Sequence, residues 1–265
     1  MNKKQQRGQS LTETAILMPV LVLLIMGLIQ VAQMYKAKAT LNHATVQAAR
    51  AGATENGFLN PMRNALAQTL APAEYRVKPN EDPNMLSYFA FQQLFRFNET
   101  IRGSGAGGVK INVLSPTQQM FDSFRQRVRT LEPCRGVGCP SGGKFRESQP
   151  IWQIPNDNLN VYSDAQRSIN GRPINLQDAN LLKIESTWCY PLRVPFINAI
   201  IYQAMKTFRA DGGYQHEQWT ACRNRRVISR HDYWIPLTST SVVRMQSPLR
   251  CENNPRGGSN CDNLQ

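Results

Sequence analysis

The residues from Gly8 to Gly27 read GQSLTETAILMPVLVLLIMG. They follow a short basic leader containing Lys3, Lys4 and Arg7. From Thr14 to Tyr35 the chain carries no charge, and Ala15 to Ile29 is almost wholly apolar. At ~1.5 Å of rise per residue, a helix over Thr14–Tyr35 can cross a hydrocarbon core of about 30 Å. Gln30 and Gln33 then fall at the far interface. The leading basic residues favour a cytoplasmic N-terminus, and Lys36 and Lys38 beyond the span oppose it.

Three kinds of segment begin this way. A secretory signal peptide has a shorter apolar region, of about 7–15 residues, followed by a small-residue cleavage site. Here the apolar run is longer and helical character continues past it. A plain signal anchor needs neither Gly8 nor Glu13. A prepilin-type segment accounts for both. A carboxylate at the edge of an apolar span is costly, so Glu13 marks function. If Gly8 is the last leader residue, Gln9 becomes a new α-amino terminus and Glu13 the fifth mature residue. An ammonium and a carboxylate then lie about one helical turn apart at the membrane edge. Packed helices can pair the amine of one subunit with the acid of the next, because either charge alone in lipid is unfavourable.

The stretch resembles the N-terminus of TadE-like pilus assembly proteins. That family shows Gly, then Glu five positions on, then Pro six further, then an apolar run with Gly, matched here by Gly8, Glu13, Pro19 and Gly27. Two positions depart from it. Gln30 stands where Glu is common, keeping hydrogen-bonding capacity without charge, and Thr14 stands where Phe is common. Weaker similarity extends through Val113–Thr117, Ile154–Asp157, Asp178–Lys183, Tyr190–Pro195 and Ile235–Ser247. The resemblance implies cleavage after Gly8 by a membrane aspartic prepilin peptidase. It implies as partners the inner membrane, other TadE-, TadF- and TadG-like proteins and the Flp major pilin. Inside the span, Pro19 removes a backbone bond and Gly27 allows close helix approach.

Beyond the span, Met34, Ala37, Leu41, Ala44, Ala48 and Ala51 form a stripe of mostly small residues, suited to packing within the chain or on another subunit. Gly52 and Asn56-Gly57 read as the helix stop. Asn60 and Pro61 read as N-cap and first position of a helix that ends before Pro72. A strand is expected near Glu74–Lys78 and a helix over Asn84–Ile101. Arg102–Gly108 reads as a turn, and Val109–Leu114 as an alternating strand. A helix opens at Ser115-Pro116 with Met120, Phe121, Phe124, Val128 and Leu131 inward. Cys134–Pro150 reads as a loop and Pro155–Gly171 as irregular. Long strands are expected over Leu181–Val194 and Tyr233–Met245, with a helix near Ile197–Phe208 between them. The stretch after Pro248 reads as a mobile tail unless Cys251 and Cys261 tie it.

The chain has 265 residues, 41% of them hydrophobic, with a net charge of +13. Such a charge suits anionic surfaces, but the basic residues are scattered and only Arg223, Arg225 and Arg226 cluster, which argues against nucleic acid. Six cysteines, at 134, 139, 189, 222, 251 and 261, all follow the apolar span, as in exported disulfide proteins. The simplest local pairs, Cys134–Cys139 and Cys251–Cys261, leave Cys189–Cys222. Zinc is the competing use of Cys134 and Cys139, but no second close pair follows and His43, His216 and His231 are isolated. Gly103, Gly105 and Gly108 match a dinucleotide fingerprint in spacing, yet a helical pattern precedes them and a strand follows, the reverse of what that site needs. Asp157, Asp164 and Asp178 read as solvated loop acids. No catalytic set, cofactor or metal is expected.

These observations predict an α+β protein. A long N-terminal transmembrane helix continues into a periplasmic domain of helices packed on a small antiparallel sheet. The expected divisions are 1–8 leader, 9–53 transmembrane helix and extension, 54–247 periplasmic domain and 248–265 Cys-containing tail. With the resemblance, the expected role is a minor pilin or biogenesis component of a tight-adherence (type IVc) pilus serving cell adhesion. The chain would be single-pass in the bacterial inner membrane, either retained there or incorporated into the extracellular pilus. The alternative is a membrane-tethered periplasmic enzyme or ligand-binding domain with an uncleaved anchor.

Overall fold

The computed structural model describes residues 7–74, 109–129, 131–133, 145–147, 151–157, 159, 166–208, 219, 222 and 233–251. Expectations for 75–108, including the second helix and the Gly103–Gly108 turn, lie outside the described residues. So do Cys134, Cys139, Cys261, Asp164, His216, His231 and the Arg223–Arg226 cluster. The described part is mixed α and β. It opens with one helix, α1 (Arg7–Thr54, 48 residues), followed by α2 (Leu59–Glu74). Thereafter come β1 (Val109–Ser115), α3 (Gln118–Phe124), β2 (Gln126–Val128), β3 (Leu131–Pro133), β4 (Phe145–Glu147) and β5 (Ile151–Ile154). The rest is β6 (Arg167–Ile169), β7 (Arg172–Ile174), α4 (Leu176–Ala179), β8 (Leu181–Pro191), α5 (Ile197–Phe208), β9 (Trp234–Arg244) and β10 (Leu249–Cys251). The strands form two three-stranded sheets, ordered β1-β8-β9 and β10-β5-β2, and two hairpin pairs, β3-β4 and β6-β7.

The described residues divide into two compact units. The first takes 7–40, 109, 187–208, 219, 222 and 233–237; the second takes 41–74, 110–129, 131–133, 145–147, 151–157, 159, 166–186 and 238–251. The elements α1, β1, β8 and β9 run through both.

In the second unit the small-residue stripe of α1 packs within the chain. Leu41, Ala44 and Ala48 are fully buried. A Cβ on Gly52 would come within 2.8 Å of Met62 and 2.9 Å of Leu182, so the absent side chain is what admits α2 and β8. Thr45 Oγ1 donates to the Leu41 carbonyl at 2.7 Å. Its single proton is thereby used, so Ser186 Oγ donates to Thr45 Oγ1 in the buried hydroxyl pair between α1 and β8. Gly52 therefore lies inside the helix and is not its stop. The chain turns at Asn56 (φ 55°) and Gly57 (φ 75°). Gly57 N–H closes onto the Gly52 carbonyl at 2.8 Å, and Asn56 N–H donates to Ser247 Oγ at 2.8 Å.

Several boundaries differ from expectation. Asn60 lies inside α2, which continues through Pro72, because burial of Leu66, Leu70 and Ala71 holds its last turns. The helix expected through Leu131 ends at Phe124, where Arg125 is extended (φ −62°, ψ 140°). Val128 instead pairs with Ile151 and Leu131 with Glu147, so both belong to strands. Thr117 caps α3, its Oγ1 accepting from Met120 N–H at 3.2 Å. The expected 134–150 loop contains β4. The region expected to be irregular contains a hairpin arm, joined to β7 by Asn170 (φ 52°) and Gly171 (φ 76°), a type I′ turn. The tail expected to be mobile after Pro248 begins with β10, paired with β5 from Leu249–Ile154 to Cys251–Trp152. β1 does not alternate, since Ile111, Asn112 and Val113 are all buried.

The strands β8 and β9 run antiparallel. Leu192 N–H bonds the Tyr233 carbonyl at 2.9 Å at one end, and Met245 N–H bonds the Asn180 carbonyl at 2.8 Å at the other. β9 is an edge of its sheet, where Pro236 removes no needed donor. In the first unit the core is built on the Cys189–Cys222 disulfide (Cα–Cα 5.4 Å) beside buried Trp234. Tyr202 from α5 meets Trp219 and Tyr233 at ring separations of 5.5 and 5.2 Å.

Candidate membrane and assembly segment

Glu13–Thr54 contains a stretch long and apolar enough to cross a membrane, with mean hydropathy 2.6 over its best window. The helix is exposed all round from Glu13 to Ile25, with Ile16 at 72% and Leu17 at 65%. Uninterrupted apolar exposure on this scale has no stable counterpart in water. Pro19 sits inside the helix without ending it. The backbone donor it lacks leaves the Ala15 carbonyl one bond short, a defect a membrane helix tolerates where neighbours or side chains satisfy it.

Cover begins at Met26 and Gly27. A Cβ on Gly27 would lie 4.0 Å from Ile197 Cδ1, at the start of α5. One turn later Gln30 is fully buried. Its Oε1 accepts the Val194 N–H at 2.8 Å, while Nε2 has no partner among the described residues. Gln30 therefore joins α1 to the corner after β8 and does not face the interface as expected. Between Glu13 and Gln30 the helix rises about 25 Å, close to the thickness of a hydrocarbon core.

At the other end α1 already begins at Arg7, so Gly8, Gln9 and Glu13 share one helix. Gln9 and Glu13 are four residues apart and fall on one helical face. Glu13 is exposed. The structure thus brings Gly8, Gln9, Glu13, Pro19 and Gly27 onto one uninterrupted element. Of the cysteines, Cys189 and Cys222 are bonded, and Cys251 lies in β10. Among the described residues no group of three or more His, Cys, Asp or Glu could hold a metal. Sequence reading missed the Gln30–Val194 bond and the corner at Phe196. The signal available was a polar residue, Gln30, on the apolar side of Tyr35.

Residues 8–50 match the family model described as TadE-like protein. Over these residues the chain is similar to TadE-like proteins. The match covers α1 from Gly8 nearly to its end, and TadE-like proteins are a family associated with tight-adherence pili. No curated protein and no solved structure matches it. Among the described residues one helix is long and apolar enough to cross a membrane, and with the TadE-like segment this fits a single-pass membrane protein.

Proposed function

We propose that this TadE-like protein is a minor pilin or biogenesis component of a tight-adherence pilus. It is cut after Gly8 and held by the α1 span in the inner membrane, with the remainder periplasmic. The observation that carries the reading is the continuity of α1: Gly8 and Glu13 precede an exposed apolar span in the same helix. Removal of residues 1–8 would leave the Gln9 amine one turn from Glu13. That pair would sit at the lipid boundary, where an acid without a cationic partner is costly. In an assembly, the amine of one subunit neutralises Glu13 of its neighbour, and the exposed faces of neighbouring spans pack together. The partners are a prepilin peptidase, which cuts the chain, and other TadE-like subunits and the major pilin, which receive it.

Intact mass of the protein purified from membranes tests this. The expected result is a chain beginning at Gln9 in cells with an active prepilin peptidase and at Met1 in cells without it. Retention of Met1–Gly8 in both refutes processing.

A further inference from the structure

The corner between β8 and α5 carries an exposed apolar surface that the span does not explain. Phe196 is 74% exposed and Ile200 58%. Phe196 also holds φ 65°, a left-handed conformation rare for a bulky residue. The Ile197 N–H to Pro195 carbonyl bond of 2.8 Å makes the corner a γ-turn of the strained kind. A costly backbone that presents an aromatic ring outward calls for a partner for that ring.

The position of the corner indicates which partner. Val194 is bonded to Gln30 and Ile197 approaches Gly27. On α1 these two contacts lie about 21 and 25 Å along the axis from Glu13, within the length of a hydrocarbon core. Phe196 therefore belongs to a corner held against Gly27 and Gln30, at the level of α1 where Leu28, Ile29 and Val31 are exposed (Val31 57%). Tyr35, 78% exposed one turn further on, is the residue type enriched at the membrane–water boundary. The exposed residues change character from the corner along α5. Phe196 before the helix and Ile200 within it come first, then Gln203, Ala204, Lys206 and Thr207. Such a gradient suits an element that starts in lipid and rises into headgroups, where Lys206 can meet phosphate.

We propose that Phe196 and Ile200 form a second membrane contact, entering the headgroup–acyl boundary of the leaflet at the Gln30 end of the span. The contact orients the first unit against the bilayer. It rests on reading Glu13–Ile29 as the membrane span and is independent of cleavage after Gly8.

Photo-crosslinking of the full chain in vesicles of phosphatidylethanolamine and phosphatidylglycerol tests it. p-Benzoylphenylalanine is placed singly at Val22, Phe196, Ile200 or Thr207, all exposed positions, and lipid adducts are read by mass. The Cys189–Cys222 bond is checked in each variant. Adducts are expected at 22, 196 and 200, and several-fold fewer at 207. Adducts at 22 without any at 196 and 200 overturn the proposal and leave the span intact. Crosslinks from 196 to a second copy of the chain overturn it in favour of a subunit contact. No adduct at 22 removes the span reading and the proposal together. In a second variant, Phe196→Gly, which φ 65° accommodates, the adducts from 200 should fall several-fold with the disulfide unchanged. Equal yield overturns the role of Phe196.

Discussion

Glu13 and Gln30 are polar residues near opposite ends of one apolar helix, and their surroundings differ. Gln30 is buried and bonded to the Val194 backbone, so it serves packing within the chain. Glu13 is exposed on the side of the helix that would carry a freed Gln9 amine. Glu13→Gln keeps shape and removes charge. The expected outcome is loss of pili with unchanged protein level, scored by electron microscopy and immunoblot; normal piliation would discount the charge pair. Gly52 makes a separate prediction. Val there would press on Met62 and Leu182, which already stand within 3 Å of an added Cβ. Gly52→Val should lower unfolding stability by about 1–3 kcal/mol, measured by denaturant titration of the detergent-solubilised chain. Gain of helix propensity offsets a small part of this.

At the scale of elements, α1 acts first as an apolar rod and then as a packing stripe, and the change occurs near Gly27. From Glu13 to Ile25 the helix is exposed, whereas Leu41, Ala44 and Ala48 beyond it are buried. The disulfide ties the end of β8 to a segment 33 residues further along the chain. A crosslink closing a loop of that size stabilises by about 3–4 kcal/mol on chain-entropy grounds. Cys189→Ser with Cys222→Ser should lower stability by that order, and dithiothreitol should destabilise the unmodified chain similarly in the same titration. The cap of α3 is smaller in effect. Thr117→Ala should cost about 1 kcal/mol, because the Met120 N–H loses its acceptor.

For the whole molecule, the basic residues before the span and the disulfide after it point to the same topology. A bonded cysteine pair is typical of an oxidising compartment, which supports the proposed orientation with residues beyond α1 outside the cytoplasm. Protease added to intact spheroplasts should therefore degrade the chain beyond the span, and inside-out vesicles should protect it. The reverse pattern would overturn the orientation.

The N-terminal half of the fold was legible because its signals are local. Charge absent from Thr14 to Tyr35 needs only a helix and lipid to have meaning, and the same holds for the spacing of Gly8 and Glu13. The long strands and α5 were likewise marked by composition alone. The Asn170-Gly171 turn was readable and overlooked, since two residues with positive φ suffice for a hairpin there. Other features came from contacts distant in the chain. Val128 and Leu131 continue a helical pattern in sequence, yet pairing with Ile151 and Glu147 makes them strands. Pro72 remains helical because its neighbours are buried, and Gln30 is internal because Val194 reaches it. Hydropathy and charge by themselves determined that this chain has a helix long and apolar enough to cross a membrane and where its apolar run begins. Only tertiary packing decided where the apolar surface of that helix stops being exposed, because that boundary is set by the corner that folds back onto Gly27 and Gln30.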